Sequence, residues 1–185
     1  MSVAETLLPI ELPRSSAGAP LPHVFADEGR LLVAYIATAP DPSFDGTNPR
    51  SVSPVAGNQS VAILTADPYL AFQFGPPNDE AIGGHRLYPL GLRAYEAFEV
   101  CNSSWIASLE KSNRVHSSHT PELFSGYRHF ILTFHDSTLE FIAESFSASL
   151  HNGAVLTVLM EAIGHILPAQ HDKPIRFLDR LWRRN

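Results

Sequence analysis

The sequence predicts an α+β domain: a mostly antiparallel, curved sheet with one long covering helix and a C-terminal basic helix. Three observations predict it. Apolar runs of strand length follow one another from residue 31 to residue 146, linked by turns rather than by regular crossover helices, which disfavours a doubly wound parallel sheet. Residues 127–146, YRHFILTFHDSTLEFIAESF, read as strand, turn and strand. Apolar stripes at helical spacing then follow at 152–167 and 172–185.

Residues 1–24 carry Pro9, Pro13, Pro20 and Pro22 with Ser15, Ser16 and Gly18, so they read as an extended arm on which Leu7, Leu8 and Ile10 can dock. Residues 25–168 form the core domain, and residues 169–185 a helix packed on that same domain. Leu31 to Thr38 is a nearly continuous apolar run and should be buried on both faces. Pro40 to Gln59 is dense in turn-forming residues and predicts no regular element. Its one cation, Arg50, is a candidate ligand contact. Val61 to Ala66 is a strand; Asp67-Pro68 breaks it, and Tyr69 to Phe74 resumes as a hairpin partner or a kinked continuation.

The loop from Gly75 to His85 contains Asp79, Glu80 and His85, residue types that bind divalent metals or serve as a general base. Arg93 to Val100 leans towards strand. Asn102, Ser103 and Ser104 precede Trp105, Ile106 and Leu109 as caps of a short amphipathic helix that should end near Arg114. His116 and His119 follow at a spacing of three, a weaker metal pattern than the spacing of four in the zinc signature.

In the 127–146 segment, side chains alternate between two faces. Phe130, Leu132, Phe134, Leu139, Phe141 and Ala143 suit a core. His129, Thr133, His135, Glu140 and Glu144, with Ile131, Ile142 and Phe146 interleaved, form a mixed face. A turn at Ser137-Thr138 sets His135 opposite Glu140 and Ile131 opposite Glu144, and that cross-strand pair would raise the histidine's pKa. Asn152 is a plausible N-cap for the next helix, whose broad apolar face should pack across the sheet. Glu161 and His165 share its polar stripe. In the tail, Trp182 and the arginines at 176, 180, 183 and 184 could meet an acidic partner, a peptide or a second protomer.

A chain of 185 residues fits one domain, and a net charge of -6 argues against non-specific nucleic-acid binding. The single Cys101 cannot form an internal disulfide, no secretory leader is visible, and no apolar run has the length of a membrane span; the expected location is the cytoplasm. No nucleophile elbow, phosphate-binding loop or dinucleotide fingerprint occurs.

Two functional readings follow. The first is a binding protein that takes a peptide or small organic molecule in a groove beside the 127–146 hairpin, without a cofactor, using His129, Glu144, Arg50 and Trp182, and able to form a homodimer. The second is a general acid–base or metal-assisted enzyme with His135, Glu140 and Thr133 at its centre. Its divalent metal would be held by His135, Glu140, His85, His116 and His119.

Overall fold

The computed structural model describes residues 4–39 and 53–166. The expected C-terminal helix, Trp182 and Arg50 lie outside the described residues. Among these residues the chain forms two antiparallel sheets and two α-helices, an α+β arrangement. The strands are β1 (Thr6–Pro9), β2 (His23–Ala26), β3 (Leu31–Ile36), β4 (Gln59–Ala66), β5 (Tyr69–Gly75), β6 (Ala97–Cys101), β7 (Arg128–Thr133), β8 (Thr138–Ala143) and β9 (Ser147–Gly153). The helices are α1 (Ser104–Asn113) and α2 (Val155–Ile166). One sheet has the order β1-β6-β7-β8-β5 and the other β2-β3-β4-β9.

The predicted single curved sheet is therefore two stacked sheets. The reason is visible in β3 and β4, which are apolar on both faces. Leu31, Val33 and Tyr35, with Ala62 and Leu64, face Phe130, Leu132, Leu139 and Phe141 of the larger sheet. Leu32, Ala34, Ile36, Val61 and Ile63 face Val155, Val158 and Leu159 of α2. A strand with two apolar faces needs two covers, and here a sheet supplies one and a helix the other. The outer face of the larger sheet is covered by the segment from Ile82 to Leu92, whose Ile82, Leu87 and Leu92 pack on Phe98, Val100 and Ile131. Two short 3-10 turns, Ile82–Gly84 and Tyr88–Leu90, shape that cover.

The Asp67-Pro68 break does not make a hairpin. It carries the chain from β4 in one sheet to β5 in the other. The amino-terminal arm is likewise built into the sheets, since β1 pairs with β6 and β2 with β3. Between them, residues 10–22 cross from one sheet to the other as a strap. Ile10 N donates to Ala97 O (3.0 Å), Tyr35 Oη donates to Pro13 O (2.7 Å), and Ser16 N donates to Ile36 O (2.9 Å). The amphipathic helix begins as expected: the Ser103 hydroxyl caps α1 by accepting from Ile106 N, and Arg114 ends it. Asn152, in contrast, lies in β9, and α2 starts at Val155.

The β7–β8 hairpin keeps the predicted faces but not the predicted register. Thr133 pairs with Thr138, Ile131 with Glu140 and His129 with Ile142. The turn spans residues 134–137 and is closed by Phe134 N donating to Ser137 O (2.8 Å). The predicted turn lies two residues further along, so the inward and outward sets survive while every cross-strand partner changes.

Phe130 is fully buried between the sheets and packs against Phe141 and Phe146 at centroid separations of 5.1 and 4.8 Å. Truncating it leaves a cavity that the flanking sheets cannot close. Phe130→Ala should lower the unfolding free energy by about 3–5 kcal/mol, read from urea denaturation.

Candidate functional site

Three features surround the β7–β8 hairpin: a buried charge cluster, a half-buried Asp–His–Tyr group and an open groove.

Glu140 stands in the middle of the larger sheet's outer face and is almost fully buried. Arg86 Nη2 donates to its Oε2 (2.9 Å) and His85 Nε2 lies 3.3 Å from its Oε1. His129 Nε2 is 3.0 Å from Oε2. That nitrogen makes no hydrogen bond of good geometry, so the contact is electrostatic rather than a linear bond. Leu87 N donates to His85 Nδ1 (3.2 Å), which leaves the His85 proton on Nε2. Ser103 Oγ accepts from Ile106 N and lies 2.9 Å from His129 Nδ1, and His129 Nε2 faces the carboxylate. Burial pushes the Glu140 carboxyl up, but His129, Arg86 and His85 outweigh it and hold the group below the usual glutamate range. Arg86 extends the cluster to Glu5, whose Oε1 accepts from Ser104 N (2.7 Å) at the start of α1. A cavity of about 150 Å³ opens beside Glu140, between His85, Thr138 and the end of β5 at Gln73–Pro76.

The second group lies where the Gly75–Ala81 loop docks on the hairpin turn. Asp79 N donates to His135 O (2.9 Å) and the Thr138 hydroxyl donates to Pro77 O (3.0 Å). This sets Asp79 Oδ2 2.9 Å from His135 Nδ1, with the Tyr95 hydroxyl bonded to both residues. The tyrosine proton goes to Asp79, so His135 carries its own on Nδ1 and turns Nε2 outward. Hydrogen bonding to Asp79, against partial desolvation, raises the His135 pKa; bonds from Tyr95 and His135 lower that of Asp79. Desolvation, then the Asp79 bond, pushes the Tyr95 hydroxyl up to about 12. Tyr95 adopts φ 62°, a left-handed conformation unfavourable for a side chain of its size. Thr133 holds it there: its hydroxyl accepts from Glu96 N (3.0 Å) and donates to Arg93 O (2.8 Å).

The groove, of about 860 Å³, runs between the strap and the ends of β6 and β7. Tyr35, Leu132 and Phe134 form its floor, and Arg14, Thr38, Tyr95 and Glu96 stand among its polar lining residues.

The predicted site residues are therefore distributed. His135 and Glu140 do not pair, because the register places Glu140 against Ile131. Thr133 has its hydroxyl committed to the backbone that carries Tyr95. His129 is fully buried beneath Trp105, at a ring separation of 5.2 Å, where no ligand reaches it. Glu144 is exposed in the link to β9 and does not line the groove. His116 donates its backbone N–H to Asn113 O, and His119 bonds Glu110 (2.8 Å) and Asn113 (3.2 Å) near the end of α1. Among the described residues no group of three or more His, Cys, Asp or Glu is placed to hold a metal ion, so the proposed five-residue metal set is not assembled. Sequence reading missed Tyr95, Arg86 and Glu5, which act over separations that no local pattern encodes.

No helix among the described residues is long and apolar enough to cross a membrane. Comparisons with protein-family models, curated proteins and solved structures gave no match.

The pH dependence follows from these contacts. A raised His135 pKa contributes stability that is complete below the ordinary histidine value of about 6.5 and is lost as pH rises through the folded value. A depressed Asp79 contributes above its ordinary value and is lost as pH falls through its folded one. Nuclear magnetic resonance titration should place His135 above the ordinary value, and Asp79→Asn should bring it down. Glu140 behaves like Asp79: Glu140→Gln should flatten the acid limb of the stability curve below about pH 4.5.

Proposed function

We propose that the chain is a ligand-binding protein that takes a small organic molecule in the groove between the strap and the β6–β7 ends, without a cofactor. The groove itself carries this reading. Its volume falls in the range of about 300–1,000 Å³ typical of small-molecule sites, and it has the usual make-up of an apolar floor with a few polar groups at the margin. Tyr35 and Phe134, whose rings lie 5.3 Å apart, give an aromatic floor. Arg14 and Glu96 offer charges of opposite sign, and Thr38 offers a hydroxyl oxygen. An apolar or aromatic body with a hydrogen-bonding end suits this lining better than a highly charged molecule. An extended peptide is the alternative occupant, because the groove is open along its length.

A second reading, general acid–base chemistry at His135, is favoured by the Asp79–His135 contact. A carboxylate at Nδ1 fixes the ring and leaves Nε2 free to take a proton, which is the arrangement of a positioned general base. Glu140 has no part in that reading, since its oxygens are occupied by Arg86 and two imidazoles.

A fragment screen followed by thermal unfolding tests the binding reading. At a hundredfold excess over Kd, a groove ligand stabilises by about 2.7 kcal/mol, which for a chain of this size raises Tm by roughly 5–10 °C. Ala94→Trp, which fills the groove from its rim, should abolish that shift. A shift that persists in Ala94→Trp, or a diverse library with no stabilising compound, would remove the groove as the site.

A further inference from the structure

Four strands end the two sheets: β1 and β5 in the larger, β2 and β9 in the smaller. An edge strand exposes unpaired N–H and C=O groups and invites another strand, so single-chain proteins blunt their edges with brevity, proline, bulges or charge. Three of these edges are blunted. β1 has four residues and ends in Pro9, β2 has four residues, and β5 carries a register shift between Tyr69 and Ala71. β9 has none of these devices. It runs for seven residues, in unbroken register with β4 from Thr65–Ser147 to Gln59–Gly153. Ser147 to Asn152 are all exposed, so no helix or loop among the described residues covers the strand.

We propose that β9 is an interface, and that its partner is β9 of a second copy of this chain, paired antiparallel about a two-fold axis. Charge does not oppose this partner at β9. The chain carries a net charge of -6, so two copies repel each other overall. Strands β3, β4 and β9 contain no Asp, Glu, Lys or Arg, which makes this edge a face on which like chains meet without like charge. Antiparallel pairing of a strand with itself satisfies two-fold symmetry and joins the two smaller sheets into one. Apolar area is present to be buried. Ala148 and Leu150 pair with Leu64 and Ala62, so they lie on the inner side of their sheet, yet Leu150 is 57% exposed. Phe72 and Phe74 of β5, on the inner side of the opposing sheet, are 37% and 43% exposed. The sandwich is open along this margin.

Sedimentation equilibrium of the full chain tests the proposal. The native chain should sediment at twice its chain mass in the micromolar range. Leu150→Lys and, separately, Ala148→Lys should each raise the dimer dissociation constant about tenfold or more. Both positions are exposed, and circular dichroism confirms that each variant remains folded. Leu8→Lys, on β1 at the opposite edge of the larger sheet, should leave the dimer intact. A native chain that stays monomeric at the highest concentrations reached overturns the proposal; that includes the case where β9 captures an extended segment of a different protein. A dimer that survives both β9 substitutions overturns it as well, because the contact would then lie elsewhere.

Discussion

A carboxylate buried in the middle of a sheet face has to be answered by donors, and Glu140 is that carboxylate. Four elements are placed by the answer. Arg86 and His85 come from the segment that covers the larger sheet, His129 from the neighbouring strand, and Ser103, behind His129, from the cap of α1. Arg86 then reaches Glu5, which ties β1 and the first turn of α1 into the same network. Leaving a buried charge unpaired costs several kcal/mol, so these contacts are constraints on one another. One residue thus explains why the amino terminus, the 82–92 cover and α1 gather on one face. It also makes that face a structural hub.

The 127–146 segment shows what a sequence can and cannot disclose. Alternation fixes parity, and parity alone decides which side chains enter the core. That is why Phe130, Leu132, Leu139 and Phe141 were legible as core residues. Register depends on the turn, and Asp136-Ser137-Thr138 contains no residue pair that specifies one turn type. Moving the turn by two residues preserves the faces but separates His135 from Glu140, and the predicted acid–base pair vanishes with it. β9 was illegible for a different reason: SASLHNG has one large apolar residue and no alternation to detect. The groove was foreseeable only as a place beside the hairpin, since its other wall comes from the strap, more than a hundred residues away in sequence.

Thr133 and Tyr95 illustrate how a residue can matter to a site without touching what binds there. The threonine hydroxyl spends its hydrogen bonds on the backbone at Arg93 and Glu96, which holds Tyr95 in a left-handed turn. That turn aims the tyrosine hydroxyl at Asp79 and His135 while its ring lines the groove. The Asp–His–Tyr group and the groove are joined through one side chain.

The strap also has a consequence for how the chain acquires its structure. β2, β3 and β4 are consecutive in sequence, so their pairing can start as soon as they leave the ribosome. β1 precedes them all, yet its sheet partner β6 is made only after β2, β3, β4 and β5. Contacts between segments so far apart carry a large loop-closure cost and form late. β1 is therefore paired long after it is synthesised, and during that interval the nascent chain carries an unpaired β1.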